Sequence, residues 1–167
     1  MYALLNEEQI VVQLSNVFSE GMIEVSDAVF PGFRQLEDGT FEAPPAPPVS
    51  PEDVNEERDR RTQAGFLFAG KHFDFDMRSK TNISGAAQMA FMVMIGGAQA
   101  GNLRWNGGSQ DFSWIAKDNS LVPMDAQTVV AFGQAAAAHE QAHVLAARAL
   151  KNMGPIPSDY QDDKWWP

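Results

Sequence analysis

The sequence contains no cysteine among its 167 residues. Disulfide bonds and thiolate chemistry are therefore excluded. Long apolar runs are missing as well, because none approaches the ~20 residues that a membrane-spanning helix needs. The N-terminus also lacks a basic region followed by an apolar one, which a secretory signal requires. We therefore expect a soluble protein without membrane insertion that is made in the cytoplasm.

Basic residues are scarce: 12 Lys and Arg stand against 22 Asp and Glu, for a formal net charge of −10. Residues 1–50 carry −7 of this charge, whereas residues 51–154 carry only −1. Nucleic-acid binding needs clustered Lys and Arg that contact phosphates. The one basic cluster, Arg58 to Arg61, is interleaved with acidic residues, which is typical of a solvated helix face. The composition therefore predicts no nucleic-acid partner.

Proline and glycine indicate how the chain is organised. Residues 1–43 predict a small β module, in which Asp38-Gly39 is the strongest hairpin turn. Residues 44–50 are a proline-rich linker of extended, semi-rigid character. Residues 51–154 are predicted to form an α+β domain, and residues 155–167 are predicted to form an extended C-terminal tail. The predicted fold class is α+β: a small N-terminal β module, a proline linker, then three helices with two β-hairpins.

Helix signals and hairpin signals alternate in the larger domain. Ser50-Pro51 is a strong helix start, and Gly65 ends that helix. A second helix is predicted from Asn82 to Ala98, ended by glycines. The hairpins are predicted within residues 66–76 and 102–115. In the second hairpin Trp105 and Trp114 are expected to cover the core beneath the last helix.

The last helix, Asp125 to Met153, is the longest predicted element. Asp125 is a plausible N-cap, and Gly154-Pro155 is a strong stop. A stripe of residues recurs at alternating spacings of three and four: Val129, Phe132, Ala136, His139, His143, Ala146 and Leu150. Such a stripe packs either on the rest of the chain or on the same helix of neighbouring subunits. The second alternative predicts a homo-oligomer.

This helix contains the sequence His-Glu-x-x-His at residues 139–143, which matches a zinc-peptidase motif. His139 and His143 would share one helix face and could bind one Zn²⁺, while Glu140 would act as the base that polarises a bound water. A catalytic zinc needs a third protein ligand. The only other histidine, His72, lies far upstream, and no glutamate follows Glu140. The remaining candidates are Asp159, Asp162 and Asp163.

The motif also has a structural interpretation, which we favour. His139 and His143 would pack against aromatic side chains and satisfy their ring nitrogens by hydrogen bonds. On this interpretation the protein has no catalytic residues, no metal and no cofactor. A similar choice arises at His72, Asp74 and Asp76, for which an exposed strand face is favoured over a metal site. In the tail, Tyr160, Trp165 and Trp166 predict a segment that docks on a partner surface.

Residues 51–153 resemble a domain of unknown function found at the ends of bacteriophage tail-fibre and tail-assembly proteins. The resemblance rests on motifs that are distinctive in combination: Glu57 to Arg61 with Gly65-Phe66, Asn82-Ile83, Trp105, Phe112-x-Trp114 with Asp118-Asn119, and Val129-x-x-Phe132 to Leu150-Lys151. The preceding residues 29–45, with their Pro-Gly, Asp-Gly and Pro-Pro pairs, are similar to the short β-plus-proline leader of tail-fibre genes.

The resemblance implies a non-enzymatic component of a phage tail, near the fibre or baseplate, that binds other tail proteins. It also implies a location in the virion tail after synthesis in the host, and favours a trimer among homo-oligomers. The alternatives are a tail-fibre assembly chaperone and a zinc-dependent hydrolase that uses His139, Glu140 and His143. The family has no established catalytic residues, and the full His-Glu-x-x-His run departs from its pattern.

Overall fold

The computed structural model describes residues 1–167 and contains three α-helices, nine short strands and one 3-10 turn. All strand pairs are antiparallel, so the predicted α+β class is confirmed. The chain divides into two compact units, Met1–Pro47 and Pro48–Pro167. The division falls within the proline-rich segment, where no helix or strand forms. Each of the helices is too short or too polar to cross a membrane.

The first unit consists of strands only. Its three-stranded sheet has the order β2-β1-β3, and a second sheet pairs β4 with β5 across the Asp38-Gly39 turn. The strands are β1 (Tyr2–Leu5), β2 (Val11–Ser15), β3 (Met22–Glu24), β4 (Arg34–Gln35) and β5 (Phe41–Glu42). Four small or β-branched side chains are buried between them: Ala3, Val11, Val25 and Val29. The β module thus has a small core of its own.

The second unit begins with α1 (Pro51–Gln63), as the Ser-Pro signal predicts. Ser50 and Asp53 form a reciprocal capping box, in which the Asp53 amide donates to Ser50 Oγ and the Ser50 amide donates to Asp53 Oδ2. Such a cap stabilises a helix by about 1 kcal/mol. The helix is followed by Gly65, whose φ of +101° turns the chain into the first hairpin.

The first hairpin pairs β6 (Phe66–Phe68) with β7 (Lys71–Phe73), as predicted. The next helix, α2 (Met77–Ile95), begins five residues earlier than the predicted Asn82. Asp76 is its N-cap, and Asp76 Oδ1 accepts a hydrogen bond from the Ser79 amide at 2.8 Å. The assignment of Asp76 to an exposed strand face was therefore wrong. The one apolar residue in the first turn of α2, Met77, is exposed, so the apolar periodicity becomes visible only from Ile83 onward.

The second hairpin lies later in the chain than predicted. It pairs β8 (Ser113–Ile115) with β9 (Leu121–Pro123), whereas residues 102–105 form no strand. The turn uses Asp118-Asn119: Asn119 has a φ of +64°, and Asp118 Oδ1 accepts from the Ser120 amide. The Lys71 ammonium beside Asp118 holds the pKa of that carboxyl well below its usual range. The prediction that Gly107-Gly108 forms the turn of this hairpin was therefore wrong.

The last helix, α3 (Ala126–Lys151), is capped by Asp125 and contacts both α2 and α1. Its stripe is covered within the chain, where Val129, Phe132 and Leu150 are fully buried. The stripe is therefore not the interface between copies that the oligomer prediction used. Phe132 lies at the centre of the main core, with ring centroids 4.7–5.3 Å from those of four aromatic side chains: Phe66, Phe68, Phe73 and Trp114.

Candidate functional site

His139 and His143 lie one turn apart on α3, and their ring centroids are 4.4 Å apart. His139 Nε2 is 3.1 Å from the carbonyl oxygen of Thr62, and His143 Nδ1 is 2.9 Å from that of His139. Because a carbonyl oxygen can only accept, each of these ring nitrogens carries the proton and donates it. One nitrogen of each ring is therefore committed to the backbone.

Aromatic side chains surround the histidine pair. The His139 ring packs 5.3 Å from the Phe75 ring and 5.9 Å from the Phe66 ring, and the His143 ring stacks on Trp166. His143 is only 5% exposed. Burial disfavours the charged imidazolium and lowers the pKa of His139, against the smaller opposing effect of its hydrogen bond to Thr62. The neutral ring is therefore the form that this packing favours.

Glu140 points away from the two histidines towards α2. Its Oε1 accepts a hydrogen bond from Lys80 Nζ at 2.6 Å, and the same ammonium lies 4.8 Å from the centroid of the Phe75 ring. The carboxylate of the motif thus links the two helices. In this position it is one half of an ion pair.

No third ligand accompanies the histidines, because no group of three His, Cys, Asp or Glu side chains is arranged to hold a metal ion. The three aspartates of the tail have cationic neighbours instead. Asp163 pairs with Arg61 at 2.9 Å, and Asp159 and Asp162 lie beside Lys164. The residues present therefore do not fit a catalytic zinc site.

A buried carboxylate organises the surface next to His143. Glu57 is only 4% exposed and accepts hydrogen bonds from Arg60 and Arg61 at 2.5–2.7 Å. The hydrogen bond from Arg60 is the main cause of the lowered pKa of Glu57. Arg61 also donates to the carbonyl oxygen of Gln161 and lies 5.4 Å from the centroid of the Trp166 ring. The basic cluster is thus a structural ion-pair network that fixes the tail to α1.

The tail aromatics contact the chain itself. Trp166 is 7% exposed and packs in a cluster with Val54 of α1 and with Ala147 and Leu150 of α3. Its indole nitrogen donates to the carbonyl oxygen of Tyr160 at 2.7 Å. Trp165 and Tyr160 are half-buried against the same cluster. The aromatic side chains that the sequence predicts to bind a partner therefore pack against α1 and α3 of the same chain.

A groove runs along α2 and α3, which are antiparallel neighbours. Its volume is about 460 Å³, and it is lined mainly by apolar side chains. Gly133 lets the helices approach closely, since a Cβ there would lie 2.5 Å from the Cβ of Ala87. Its apolar lining includes Phe75, Ala87, Phe91, Val130, Gly133 and Ala137, and the ion pair of Lys80 with Glu140 also borders it. We call this feature the α2–α3 groove.

A sequence model of the family described as "Domain of unknown function (DUF4376)" matches residues 46–163, which is more than half of the chain. The chain belongs to the DUF4376 family. The match includes all three helices and both hairpins of the second unit. No curated protein and no solved structure gives a significant match.

Within the second unit of this DUF4376 protein, the structure brings together His139, His143 and Trp166 but places Glu140 on another side of α3. His72 is exposed on β7 and does not join them. The sequence analysis did not find the α2–α3 groove. Two signals were available: the glycine at position 133 inside a long helix, and the run of residues 81–103, which contains no charged side chain.

Proposed function

We propose that this DUF4376 protein is a non-enzymatic structural component of a bacteriophage tail, associated with the fibre or baseplate. It is made in the host cytoplasm and acts in the virion tail, where it binds other tail proteins and assembles with copies of itself, in the favoured case as a trimer. The phage assignment is supported by the sequence resemblance. The non-enzymatic assignment is supported by the geometry of the histidine motif.

The observation that carries the non-enzymatic assignment is that every member of the His-Glu-x-x-His run has a structural role. His139 and His143 each donate one ring N–H to a backbone carbonyl, and Glu140 forms an ion pair with Lys80. A hydrolytic zinc centre needs three protein ligands and a free carboxylate base. Three such ligands are not brought together around His139 and His143, which supports the non-enzymatic assignment.

The residues that carry the phage-tail resemblance have roles in the fold. Gly65 allows the chain to reverse after α1, Trp105 anchors a loop to Met124, and Asp118-Asn119 forms the second hairpin turn. Side chains that define a fold are also those expected to recur among proteins that share it. The resemblance is therefore one of architecture, which suits a protein that acts through surfaces.

Mass spectrometry of purified virions tests the proposal, with the major capsid protein as the internal standard for copy number. We expect peptides of this chain in a fixed stoichiometric ratio to the other tail proteins. Absence from finished particles, together with a requirement for the gene during fibre assembly, would contradict a structural role. That result would establish an assembly chaperone in its place.

A further inference from the structure

A second depression lies between α2 and the second hairpin. Its volume is about 580 Å³, within the range of ~300–1,000 Å³ that is typical of sites for small molecules. The hairpin side of the depression is aromatic, because Phe112 and Trp114 line it. The helix side is one face of α2, on which four lining residues recur at spacings of three and four: Ser79, Asn82, Ala86 and Met89. We call this feature the α2–β8 cleft.

A glycine of α2 keeps this cleft open. Gly85 lines it, and a Cβ at that position would meet no atom within 4 Å. Gly85 lies inside α2 and is not among the glycines with positive φ, so its backbone does not require glycine. Glycine weakens a helix interior relative to alanine. Unlike Gly133, which permits close helix packing, Gly85 therefore leaves space that no part of the chain fills.

Trp114 differs from the other tryptophans in its hydrogen bonding. The indole N–H groups of Trp105, Trp165 and Trp166 each donate to an oxygen atom of the chain. The N–H of Trp114 has no acceptor within the chain, and it is not buried, since Gln127 Oε1 is the only buried side-chain atom without a partner. This donor is therefore accessible to a ligand in the cleft that Trp114 lines.

The polar groups of the cleft are all neutral. Asn82 is exposed, and its side-chain amide, with two donors and one acceptor, makes no hydrogen bond within the chain. Ser79 and Ser113 also line the cleft, whereas no Asp, Glu, Lys or Arg does. An ionic ligand would find no opposite charge there. The cleft thus combines an aromatic surface with uncharged hydrogen-bonding groups.

We propose that the α2–β8 cleft binds a neutral saccharide. A pyranose ring has an apolar C–H face, which would pack on the aromatic wall, and hydroxyl groups that both donate and accept hydrogen bonds. The hydroxyl groups would pair with the Trp114 N–H and the Asn82 amide, which an entirely apolar occupant would leave without partners. The inference rests on the cleft alone and is independent of the phage assignment.

Proton–nitrogen correlation NMR on the full-length chain tests the proposal, with maltotriose, cellotriose and triacetylchitotriose as neutral probes at millimolar concentration. The chain has 4 Trp residues, each with one indole N–H resonance. Trp114→Phe identifies the resonance of Trp114 by its absence. We expect at least one neutral probe to shift this resonance and to leave the other indole resonances in place. Trigalacturonate, which is anionic, should not shift it.

Gly85 offers a matched pair of variants. Gly85→Leu would place a large side chain in the cleft and should abolish binding, whereas Gly85→Ala adds only a methyl group and should retain it. Both substitutions remove a glycine from a helix interior and are expected to fold at least as well as the wild type. Trp114→Phe keeps an aromatic ring without the N–H and should weaken binding roughly tenfold, measured from the backbone amide resonances of β8.

Three results would overturn the inference. The first is an unshifted Trp114 resonance with all three neutral probes. The second is binding that Gly85→Leu leaves unchanged, because the saccharide would then lie elsewhere. The third is a larger shift with trigalacturonate than with any neutral probe. If circular dichroism shows that Gly85→Leu is unfolded, Trp114→Phe decides: weakened binding supports the site, and unchanged binding contradicts it.

Discussion

Gly65 connects α1 to the first hairpin in a conformation that other residues rarely adopt. Its φ is +101°, and a Cβ at this position would overlap the carbonyl oxygen of Phe73. We expect Gly65→Ala to lower the free energy of unfolding by about 3 kcal/mol or more, because left-handed strain and a backbone overlap add together. Urea denaturation followed by circular dichroism measures this loss.

Gly70 provides the control for this substitution. Its φ of +78° is also left-handed, but a Cβ there would meet nothing within 4 Å. Gly70→Ala should therefore cost only the conformational strain, about 1–2 kcal/mol. Equal losses for the two variants would show that the backbone around Phe73 moves to accept a side chain at position 65.

His139 and His143 allow a direct test of the alternative zinc assignment. Because no third protein ligand accompanies the two histidines, purified protein should contain far less than one equivalent of zinc. Its melting temperature should not change on addition of a chelator. Stoichiometric zinc that disappears in His139→Ala and His143→Ala would contradict the structural interpretation and reinstate a metal centre.

The lowered pKa of His139 has a consequence for stability as a function of pH. The unfolded chain binds a proton near the ordinary pKa of about 6.5, whereas folded His139 binds one only at lower pH. This contribution to stability is therefore present above about pH 6.5 and is lost as the pH falls towards the folded pKa. We expect stability to decline with acidification through this range.

His139→Gln retains a hydrogen-bond donor but does not titrate. Its free energy of unfolding should depend less on pH below about pH 6.5 than that of the wild type. His72→Gln is the control, because His72 is exposed on β7 and lies outside the aromatic surroundings of His139. An unchanged slope in His139→Gln would show that another group is responsible.

The starts of α1 and α3, which are set by capping side chains, were predicted correctly. Ser50 and Asp125 are N-caps whose side chains accept a hydrogen bond from the amide three residues later. The start of α2 was missed because Asp76 follows a strand-like alternation and precedes a first turn whose one apolar residue, Met77, is exposed. Capping there was visible in the sequence, but apolar periodicity was not. The capping residue and the apolar periodicity indicated different helix starts, and the structure follows the capping residue.

The second hairpin was mispredicted for a different reason. Gly107-Gly108 and Asp118-Asn119 are both acceptable turns by local sequence, and only tertiary contacts distinguish them. Lys71 of the first hairpin pairs with Asp118, and the Lys117 amide donates to the carbonyl oxygen of His72. These contacts join residues that are more than forty positions apart. Sequence windows of a few residues do not contain that information, nor do they contain the α2–α3 groove.

Trp105 holds the loop that precedes β8 to Met124, in the short connection between β9 and α3. This side chain is buried, and its indole nitrogen donates to the carbonyl oxygen of Met124 at 3.1 Å. Trp105→Ala should lower the free energy of unfolding by about 3–5 kcal/mol, as for other buried large aromatics. Trp105→Phe should restore most of the packing and leave a deficit of about 1–3 kcal/mol for the unpaired carbonyl. Denaturation monitored by circular dichroism distinguishes the two variants.

Within the second unit as a whole, the tail closes a cluster that joins α1 to α3. Trp166→Ala should therefore lower the free energy of unfolding by about 3–5 kcal/mol. Trp165→Ala should cost less, because Trp165 is only half-buried. The circular dichroism of the helices measures both losses, since all three helices lie in this unit. If Trp166→Ala has full stability and instead loses binding to phage tail proteins, the C-terminal segment binds a partner.

The position of Val54 also affects how the protein folds during synthesis. Val54 is fully buried, and its cluster partners Ala147, Leu150 and Trp166 lie more than ninety residues later. Emerging from the ribosome, α1 therefore exposes its only large aliphatic side chain until residues 147–166 have also been made. Contacts of such long sequence separation form late and slow folding. The apolar contacts of α1 are consequently completed only after the C-terminal residues have been synthesised.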